Sequence, residues 1–326
     1  MDERLLTIEN LVVDYLTDDA TVHAVRKLSL HVNAGETLGL VGETGAGKTT
    51  TALSILRLLP ERIGKVREGK IEFNQTDLTK LSEKEMRKVR GHEIAMIFQD
   101  PMTSLNPVIR IGDQIDEVLR IHEKHLSKEE RRKRVDEVLQ MVGISPERRS
   151  EYPHQFSGGM QQRVVIAMAL VCKPKLILAD EPTTALDVTI QAQVLEMMKD
   201  LKDNLNTAMM LITHDLGVVA QTCDRVAVIY AGEIVEMGTT QDLFEGSVHH
   251  PYTIGLFGSI PDLNSSETRL KPIPGMMPDP THLPEGCAFA DRCTHCTEKC
   301  RKENPQPTYR GSHMVKCHLI NQEVEQ

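Results

Sequence analysis

The sequence predicts an α/β fold in which a sheet with helices is joined by an antiparallel β part and by a small irregular C-terminal domain rich in Cys and Pro. Short continuous apolar runs alternate with helical patterns in the middle of the chain, which is typical of a parallel sheet covered on both faces. The first forty residues alternate apolar and polar side chains at period two, which indicates antiparallel strands. Beyond about Met237 the composition shifts towards Pro, Gly, His and Cys.

Size and charge limit the class of protein. The chain has 326 residues, which at about 150 residues per domain indicates two domains. Its 38 Lys and Arg against 47 Asp and Glu give a net charge of -9, which argues against nucleic acid as a partner because phosphate backbones attract basic surfaces. There is no secretory signal pattern, and the longest apolar run, 164–172, falls short of the about 20 residues of a membrane span. We therefore expect a soluble, intracellular chain.

The individual elements follow from local patterns. Antiparallel strands are indicated near Leu11 and Val13 and again near Leu28 and Leu30. Apolar strands are predicted at residues 37–41, 176–179, 209–212 and 226–229. Two helices are predicted to begin at capping boxes, in which a Ser is followed three residues later by a Glu. These boxes are Ser82 with Glu85 and Ser127 with Glu130.

A glycine-rich loop follows the strand at 37–41. It fits the pattern G-x-x-x-x-G-K-[ST] with Gly42, Glu43, Thr44, Gly45, Ala46, Gly47, Lys48 and Thr49. Glycines let backbone N–H groups turn around phosphate oxygens, while the Lys places a charge near the terminal phosphates and the Thr offers a hydroxyl to Mg²⁺. Taken alone, the motif also occurs as an incidental turn, but its place between an apolar strand and a helical pattern favours nucleotide binding.

Two further segments have the chemistry that this loop requires. The strand at 176–179 ends in Asp180, suited to hold Mg²⁺, and Glu181, suited to polarise an attacking water. Ser157, Gly158 and Gly159 open a helical pattern, which makes a second helix N-terminus suited to phosphate. The alternatives are an acidic strand end and an ordinary helix cap.

In this order, the segments resemble the ABC ATPases. The residues from Ser157 to Gln161 are similar to the signature sequence of that family, and Ala185-Leu186-Asp187 resembles its D-loop. The resemblance implies that Gln99 is the Q-loop glutamine that senses Mg²⁺ and that His214 is the switch histidine. It also implies nucleotide contacts, which would be made by Tyr15 against adenine, by the loop from Gly42 to Thr50, and by Ser157, Gly158, Gly159, Gln161 and Asp187.

Two other stretches are similar to one branch of that family, the dipeptide, oligopeptide and nickel importers. They are the segment after Gln99, at residues 99–107, and His250-Pro251-Tyr252-Thr253 with the Pro-rich region that follows. The resemblance implies a nucleotide-binding domain at residues 1–237, with a helical subdomain at about 100–155, and a C-terminal extension at residues 238–326. The implied activity is ATP hydrolysis that powers solute import at the cytoplasmic face of a membrane, with peptides favoured over nickel.

The same resemblance implies partners. Two ATPase subunits, identical or different, pair head to tail so that each ATP lies between the Lys48 loop of one and the Ser157 helix of the other. Two membrane permeases complete the transporter, and an extracellular solute-binding protein delivers the cargo. A soluble ABC ATPase acting on ribosomes or DNA is the alternative class, but the chain has one signature and no sustained heptad run. An iron–sulfur electron carrier is a third, which the complete set of hydrolysis residues disfavours.

Five of the seven cysteines fall in the last forty residues. Cys287, Cys293, Cys300 and Cys317 match four cysteines in the extension of peptide-importer ATPases, some of which carry a four-iron iron–sulfur cluster. Four thiolates suit either such a 4Fe-4S cluster, which we favour, or tetrahedral zinc. Cys296 departs from the pattern and could compete as a ligand. Cys172 and Cys223, in apolar helical surroundings, are predicted to be core residues.

Overall fold

A computed structural model describes residues 4–184, 186–259 and 272–320. Its strands are β1 (Arg4–Leu16), β2 (Thr21–Asn33), β3 (Thr37–Val41), β4 (Gly64–Phe73), β5 (Thr76–Asp77), β6 (Ile94–Ile97), β7 (Leu176–Asp180), β8 (Ala208–Thr213), β9 (Arg225–Tyr230), β10 (Glu233–Thr239), β11 (Thr308–Arg310) and β12 (His313–Val315). Its helices are α1 (Lys48–Ile55), α2 (Glu83–Val89), α3 (Pro101–Ser104), α4 (Ile111–His122), α5 (Lys128–Met141), α6 (Gly158–Leu170), α7 (Val188–Leu205), α8 (Leu216–Thr222), α9 (Thr240–Glu245), α10 (Pro251–Gly258) and α11 (Glu298–Lys302).

The chain divides into two compact units. The first is built mainly from Asp77–Ile212, to which Val32–Thr37 is added. The second combines Leu6–His31, Leu38–Thr76 and Thr213–Gln326. The glycine-rich loop therefore shares a unit with the C-terminal part of the chain, whereas Asp180 and Glu181 belong to the other unit.

In the second unit, an antiparallel sheet with the order β2-β1-β4-β5 matches the predicted alternation. Leu6 lies opposite Phe73 and Ile8 opposite Ile71, and these apolar side chains are buried. The strands are longer than the sequence pattern indicated, with 13 residues in both β1 and β2. In β1, the pairing with β4 shifts in register between Glu9 and Val12. Such a shift interrupts the two-residue alternation by which a strand is recognised in a sequence, so the pattern indicated only part of β1.

The same unit contains β3, which pairs in parallel with β9, and β9 pairs antiparallel with β10. The C-terminal extension adds to this sheet, because β12 pairs antiparallel with β10, Glu236 facing Val315, and β11 pairs with β12. We expected an irregular domain there. Strands β11 and β12 have three residues each, which is too few for a recognisable alternation, so no sequence pattern indicates that the extension continues a sheet.

The first unit is organised around the parallel strands β6, β7 and β8, with β7 in the middle. Every residue of β7 and β8 is buried, which confirms the continuous apolar strands. Both predicted capping boxes form, at Ser82 before α2 and at Ser127 before α5. No helix in the described part of the chain is long and apolar enough to cross a membrane.

Candidate functional site

In the second unit, the glycine-rich loop connects the buried strand β3 to helix α1. A Cβ added to Gly42 would lie 2.3 Å from the carbonyl oxygen of Ile229. A Cβ on Gly47 would lie 2.4 Å from the carbonyl oxygen of Ala24, and Gly47 has a φ of 104°. Only glycine fits at these two positions, and the loop therefore packs its backbone closely, as phosphate cradles do. We call residues 42–49 the phosphate loop.

Lys48 is the first residue of α1, and its side chain folds back over the phosphate loop. Its Nζ atom donates to the carbonyl oxygens of Gly42, at 2.7 Å, and Glu43, at 3.0 Å. The residue is only 6% exposed, whereas the neighbouring Thr49 is exposed. A buried ammonium next to an exposed hydroxyl at a helix N-terminus is an arrangement suited to a phosphate chain with its cation.

Tyr15 and Thr50 meet beside this loop, with their hydroxyl oxygens 3.1 Å apart. Both side chains are half-buried. The structure thus places the predicted adenine-stacking residue within hydrogen-bond reach of α1, the helix that begins with Lys48. Thr44 and Gly45 are exposed, and Ala46 is buried.

Glu43 in the phosphate loop is held by two residues of the C-terminal extension to which the sequence assigned no role. Its backbone N–H donates to the hydroxyl of Tyr252 at 2.9 Å. Its carboxylate accepts two hydrogen bonds from Arg292, at 2.8 and 3.0 Å. No local pattern could reveal these contacts, because they join residues 209 and 249 positions apart.

In the first unit, the buried strand β7 ends at Asp180, which is 4% exposed. Glu181 follows with a φ of 45°, and its N–H donates to the carbonyl oxygen of Ile212 at 2.8 Å. Its carboxylate accepts from Gln99 Nε2 at 3.2 Å and from Thr184 Oγ1 at 3.0 Å. The structure therefore brings together the predicted base and the predicted Q-loop glutamine, in a backbone conformation uncommon for a residue with a side chain.

The signature residues also lie in the first unit, at the N-terminus of α6. Gln161 fixes the preceding turn by donating to the carbonyl oxygens of Pro153, at 2.9 Å, and Phe156, at 3.2 Å. Asp187 caps α7 by accepting from the N–H of Ile190 at 3.0 Å. A surface pocket of about 500 Å³ is lined by residues from both helix ends. These are Ser157, Gly158, Gly159, Met160, Arg163, Leu186, Asp187, Ile190 and Gln193.

We call this helix end, residues 157–161, the signature end. Within the described residues, the Ser157 side chain makes no capping hydrogen bond to α6, and a Cβ on Gly158 would meet nothing within 4 Å. The end is therefore open. Ala185 of the predicted D-loop lies outside the described residues. His214 follows β8, is exposed and belongs to the second unit.

The four predicted cysteine ligands gather in the extension. Cys287, Cys293, Cys300 and Cys317 line one small cavity with His250, His295 and His318. The Cys287 N–H donates to the Cys300 carbonyl oxygen at 2.8 Å. Burial, together with the neighbouring thiols, raises the pKa of Cys287 to about 11. Burial likewise raises the pKa of Cys293 and of Cys317, so these thiols bind a metal only by releasing protons.

The spacing of the thiols tests which group would fit them. Tetrahedral zinc with Zn–S bonds near 2.3 Å holds its sulfurs about 3.8 Å apart. Within the described ranges, no three cysteines have sulfur atoms that all lie within 4.8 Å of one another. Cys296 is at the edge of this group and hydrogen-bonds to the Thr297 carbonyl oxygen. Cys172 and Cys223, outside this group, are buried, which confirms them as core residues.

A second group of metal-ligand type was missed by the sequence analysis. The Glu236 carboxylate accepts from His249 Nδ1 at 2.8 Å and from His313 Nε2 at 2.9 Å. Burial raises the pKa of Glu236, but these hydrogen bonds and those from Thr253 and the His250 N–H outweigh it and lower the pKa to about 2. The carboxylate thus stays ionised and joins β10 to β12 and to the start of α10.

Two family models match the sequence. The ABC transporter model matches residues 25–184, and the model of the oligopeptide/dipeptide transporter C-terminal region matches residues 235–300. The first includes the phosphate loop and the signature end. The second includes Tyr252, Arg292 and three of the four predicted cysteine ligands.

Curated relatives are similar over nearly the whole chain. The dipeptide transport ATP-binding protein DppD of Bacillus subtilis is 51% identical over 326 residues, covering 99% of this chain and 97% of the relative. The oligopeptide transport ATP-binding protein OppD of the same organism is 52% identical, covering 98% and 89%. OppD of Haemophilus influenzae is 48% identical, covering 97% of both.

Solved structures agree at the level of the nucleotide domain. A dimeric ATP-binding cassette in a post-hydrolysis state, bound to ADP and phosphate, is 29% identical with a TM-score of 0.65, covering 72% of this chain and 98% of that one. The cbiO1 protein of Clostridium perfringens, part of an ABC transporter complex, is 28% identical with a TM-score of 0.66, covering 75% and 92%. The chain therefore belongs to the ABC transporter ATP-binding proteins, in the family that carries the oligopeptide/dipeptide transporter C-terminal region.

Proposed function

We propose that this chain is the ATP-hydrolysing subunit that powers the import of dipeptides or oligopeptides through an ABC transporter. The observation that carries the proposal is the similarity of about half of all residues to dipeptide and oligopeptide transport ATP-binding proteins over 98–99% of the chain. The match to the transporter-specific C-terminal region adds to it, because that region distinguishes this family from ABC ATPases in general.

The residues assigned to ATP hydrolysis have the chemistry that each step needs. Lys48 would bind the terminal phosphates, since its ammonium already lies against the phosphate loop. Glu181 would accept a proton from the attacking water, and Gln99, which hydrogen-bonds to Glu181, would orient that water or the cation. His214 would contact the terminal phosphate. Tyr15 would stack on adenine.

Magnesium fits the oxygen donors that these segments offer. The exposed Thr49 hydroxyl and the buried Asp180 carboxylate are hard ligands of the type that Mg²⁺ prefers. When bound, the ion would neutralise charge on the phosphates. Thr49 and Asp180, with Gln99, are our proposed magnesium ligands.

We also propose that the signature end binds ATP held by a second ATPase subunit. Its open pocket and uncapped Ser157 support this, because backbone N–H groups at a helix N-terminus attract phosphate. Gly159 is required for a separate reason, since a Cβ there would lie 2.6 Å from Ile190 Cγ2. The partner subunit can be a second copy or a different chain.

For the extension we propose a four-iron iron–sulfur cluster held by Cys287, Cys293, Cys300 and Cys317. Each iron of such a cluster takes one thiolate, so the four sulfurs must stand farther apart than around one zinc ion. Among the described residues no three of these sulfurs lie within 4.8 Å of one another, and this arrangement suits the cluster better than zinc. The cluster would stabilise the C-terminal extension, which has little apolar core of its own.

The remaining assignments concern the whole assembly. We propose that residues 1–237 form the nucleotide-binding domain, with a helical subdomain at about 100–155 that receives the permeases, and that residues 238–326 form the extension. In this arrangement the chain binds two membrane permeases at the cytoplasmic face, and an extracellular solute-binding protein delivers the peptide.

The direct test is peptide uptake by proteoliposomes that contain this chain with its permeases. We expect ATP-dependent uptake of a labelled dipeptide, and we expect Glu181→Gln to lower ATP turnover by about 100-fold or more, since it removes the general base. The variant should instead retain bound ATP and a stable dimer. Glu137→Gln is the matched control, because Glu137 is exposed on α5. Uptake of nickel without peptide would overturn the cargo, and unchanged turnover by Glu181→Gln would overturn the base.

A further inference from the structure

Two residues of the C-terminal extension hydrogen-bond to Glu43, which lies in the phosphate loop. Tyr252, in α10, accepts the hydrogen bond of the Glu43 N–H at 2.9 Å. Arg292 donates from Nη1 to Oε2 of Glu43 at 2.8 Å and from Nη2 to Oε1 at 3.0 Å. Two parallel bonds from a planar guanidinium fix both the position and the orientation of a carboxylate.

The guanidinium of Arg292 is itself held on every side. Its side chain is 7% exposed, and its Nε donates to the Pro274 carbonyl oxygen at 2.9 Å. The charged group lies 5.8 Å from the ring centre of Tyr230 and 5.9 Å from that of Phe289. An ion pair with one partner so strongly fixed and shielded from water has a defined geometry, unlike an exposed surface pair.

Glu43 is one of two residues whose carbonyl oxygens accept hydrogen bonds from the ammonium of Lys48, and the other is Gly42. The Glu43 carbonyl oxygen accepts from Lys48 Nζ at 3.0 Å and from the Ala46 N–H at 3.1 Å. The side chain, N–H and carbonyl of this one residue are therefore all engaged, the first two by the extension and the last by the phosphate loop. A shift of Glu43 would move the Lys48 ammonium and the turn at Ala46 together.

Arg292 is also part of the cysteine-bearing loop. It ends the 3₁₀ turn Ala290–Arg292, which lies between Cys287 and Cys293. The turn is tied to the first cysteine by the Ala290 N–H, which donates to the Cys287 carbonyl oxygen at 3.0 Å. The conformation of the loop between these cysteines thus sets where the guanidinium can reach.

We propose that Arg292 is a positioning residue for nucleotide binding, which holds the phosphate loop through Glu43 and makes nucleotide affinity depend on the fold of the loop from Cys287 to Cys293. The inference rests on the proposed role of the phosphate loop in ATP binding and adds a function for the extension. It does not depend on which metal group the cysteines carry.

The test is the Kd for MgATP of the full chain, measured with a fluorescent ATP analogue and by competition with ATP. We expect Arg292→Gln to weaken binding about tenfold, which corresponds to about 1.4 kcal/mol. Arg292→Lys should recover part of this loss, because an ammonium keeps the charge without the two parallel bonds. Lys302→Gln is the matched control, since Lys302 pairs with the exposed Glu298 within α11, outside the loop from Cys287 to Cys293.

A double-mutant cycle separates positioning from a general loss of structure. If Arg292 acts through Glu43, Glu43→Gln should weaken MgATP binding about as much as Arg292→Gln, and the double variant should be no weaker than either single variant. Additive losses would overturn the proposal, as would an Arg292→Gln variant with the wild-type Kd. Should Arg292→Gln fail to fold, Arg292→Lys and Glu43→Gln still complete the comparison.

The dependence on the cysteine loop is tested in the same assay. Replacing Cys287 and Cys293 by Ser should weaken MgATP binding in the wild-type background and cause no further loss in the Arg292→Gln background. An equal loss in both backgrounds would overturn this part. Lys48→Ala distinguishes the two levels of inference: if it leaves the Kd unchanged, the proposed nucleotide site is wrong, whereas if Lys48→Ala weakens binding and Arg292→Gln does not, only the positioning role is wrong.

Discussion

The two helix N-termini that we assign to ATP differ in how they are supported. The phosphate loop before α1 is closed, with Lys48 folded over its carbonyl oxygens and Glu43 clamped by Tyr252 and Arg292. The signature end of α6 is open, and Ser157 faces a pocket of about 500 Å³. The first site is pre-organised by its own chain, and we propose that the second presents backbone donors to a group held by a partner subunit.

The contrast between a closed phosphate loop and an open signature end suits a nucleotide site that two subunits would share. A closed loop can hold ATP before a partner arrives, because the cost of ordering it is already met within the chain. On our proposal, an open helix end binds only when a partner brings the phosphate, so ATP would join the two subunits. Substitutions at the two ends should therefore have different consequences.

The largest effect is expected from Gly47→Ala in the closed loop. A Cβ there would lie 2.4 Å from the Ala24 carbonyl oxygen at a φ of 104°, and we expect loss of MgATP binding together with about 1–3 kcal/mol of stability. Equilibrium binding and thermal unfolding measure both quantities. Gly158→Ala is the matched control for stability, because the added Cβ meets nothing within 4 Å. Equal unfolding temperatures for the two variants would contradict this explanation.

A smaller and more selective effect is expected at the open end. In the Glu181→Gln background, Ser157→Arg should prevent the ATP-dependent dimer, because the larger side chain fills the pocket where the partner's phosphate would bind. Light scattering with and without MgATP measures the dimer directly. A dimer that persists in the double variant would show that the signature end is not where the subunits share ATP.

The smallest effect concerns the extension that clamps the closed loop, and it depends on pH. Burial lowers the pKa of His250 from 6.5 to about 4, although Glu236 nearby opposes the shift. The unfolded chain takes up this proton below about pH 6.5, whereas the folded chain takes it up only near pH 4, so the free energy of unfolding should fall by about 3 kcal/mol across that interval. His250→Asn should flatten the dependence, because Asn keeps an acceptor for the Tyr252 N–H.

The pH interval separates His250 from its neighbours. Glu236, with a pKa lowered to about 2, stabilises the fold above pH 4.5 and loses this contribution only as the pH falls towards 2. His249 has a raised pKa, mainly because of its hydrogen bond to Glu236, and its contribution is complete below pH 6.5 and lost above it. Because burial also lowers the pKa of His122, it is the difference in urea unfolding between the wild type and His250→Asn at pH 4.5, 5.5 and 6.5 that reports on His250. An unchanged slope in His250→Asn would contradict the assignment.

Much of this organisation could be predicted because it depends on local chemistry. The strand at 176–179, the capping boxes and the glycine-rich turn each have a signal within a few residues, and all three form as expected. That Gln99 and Glu181 belong to one site could be predicted only from the order of the family motifs along the chain. Tyr252 and Arg292 were not predictable as partners of Glu43, since hydrogen bonds between distant residues leave no periodic pattern.

Strand β12 has a consequence for attempts to isolate the nucleotide domain. It covers one side of β10, the strand in which Ile234 and Val235 are buried, while β9 covers the other. A chain cut after β10 would present that strand as a bare sheet edge with unpaired N–H and C=O groups, which is a template for association with other chains. We therefore expect a chain cut after β10 to associate with other chains more readily than the full chain does, because Glu236 and Met237 lose their pairing with β12.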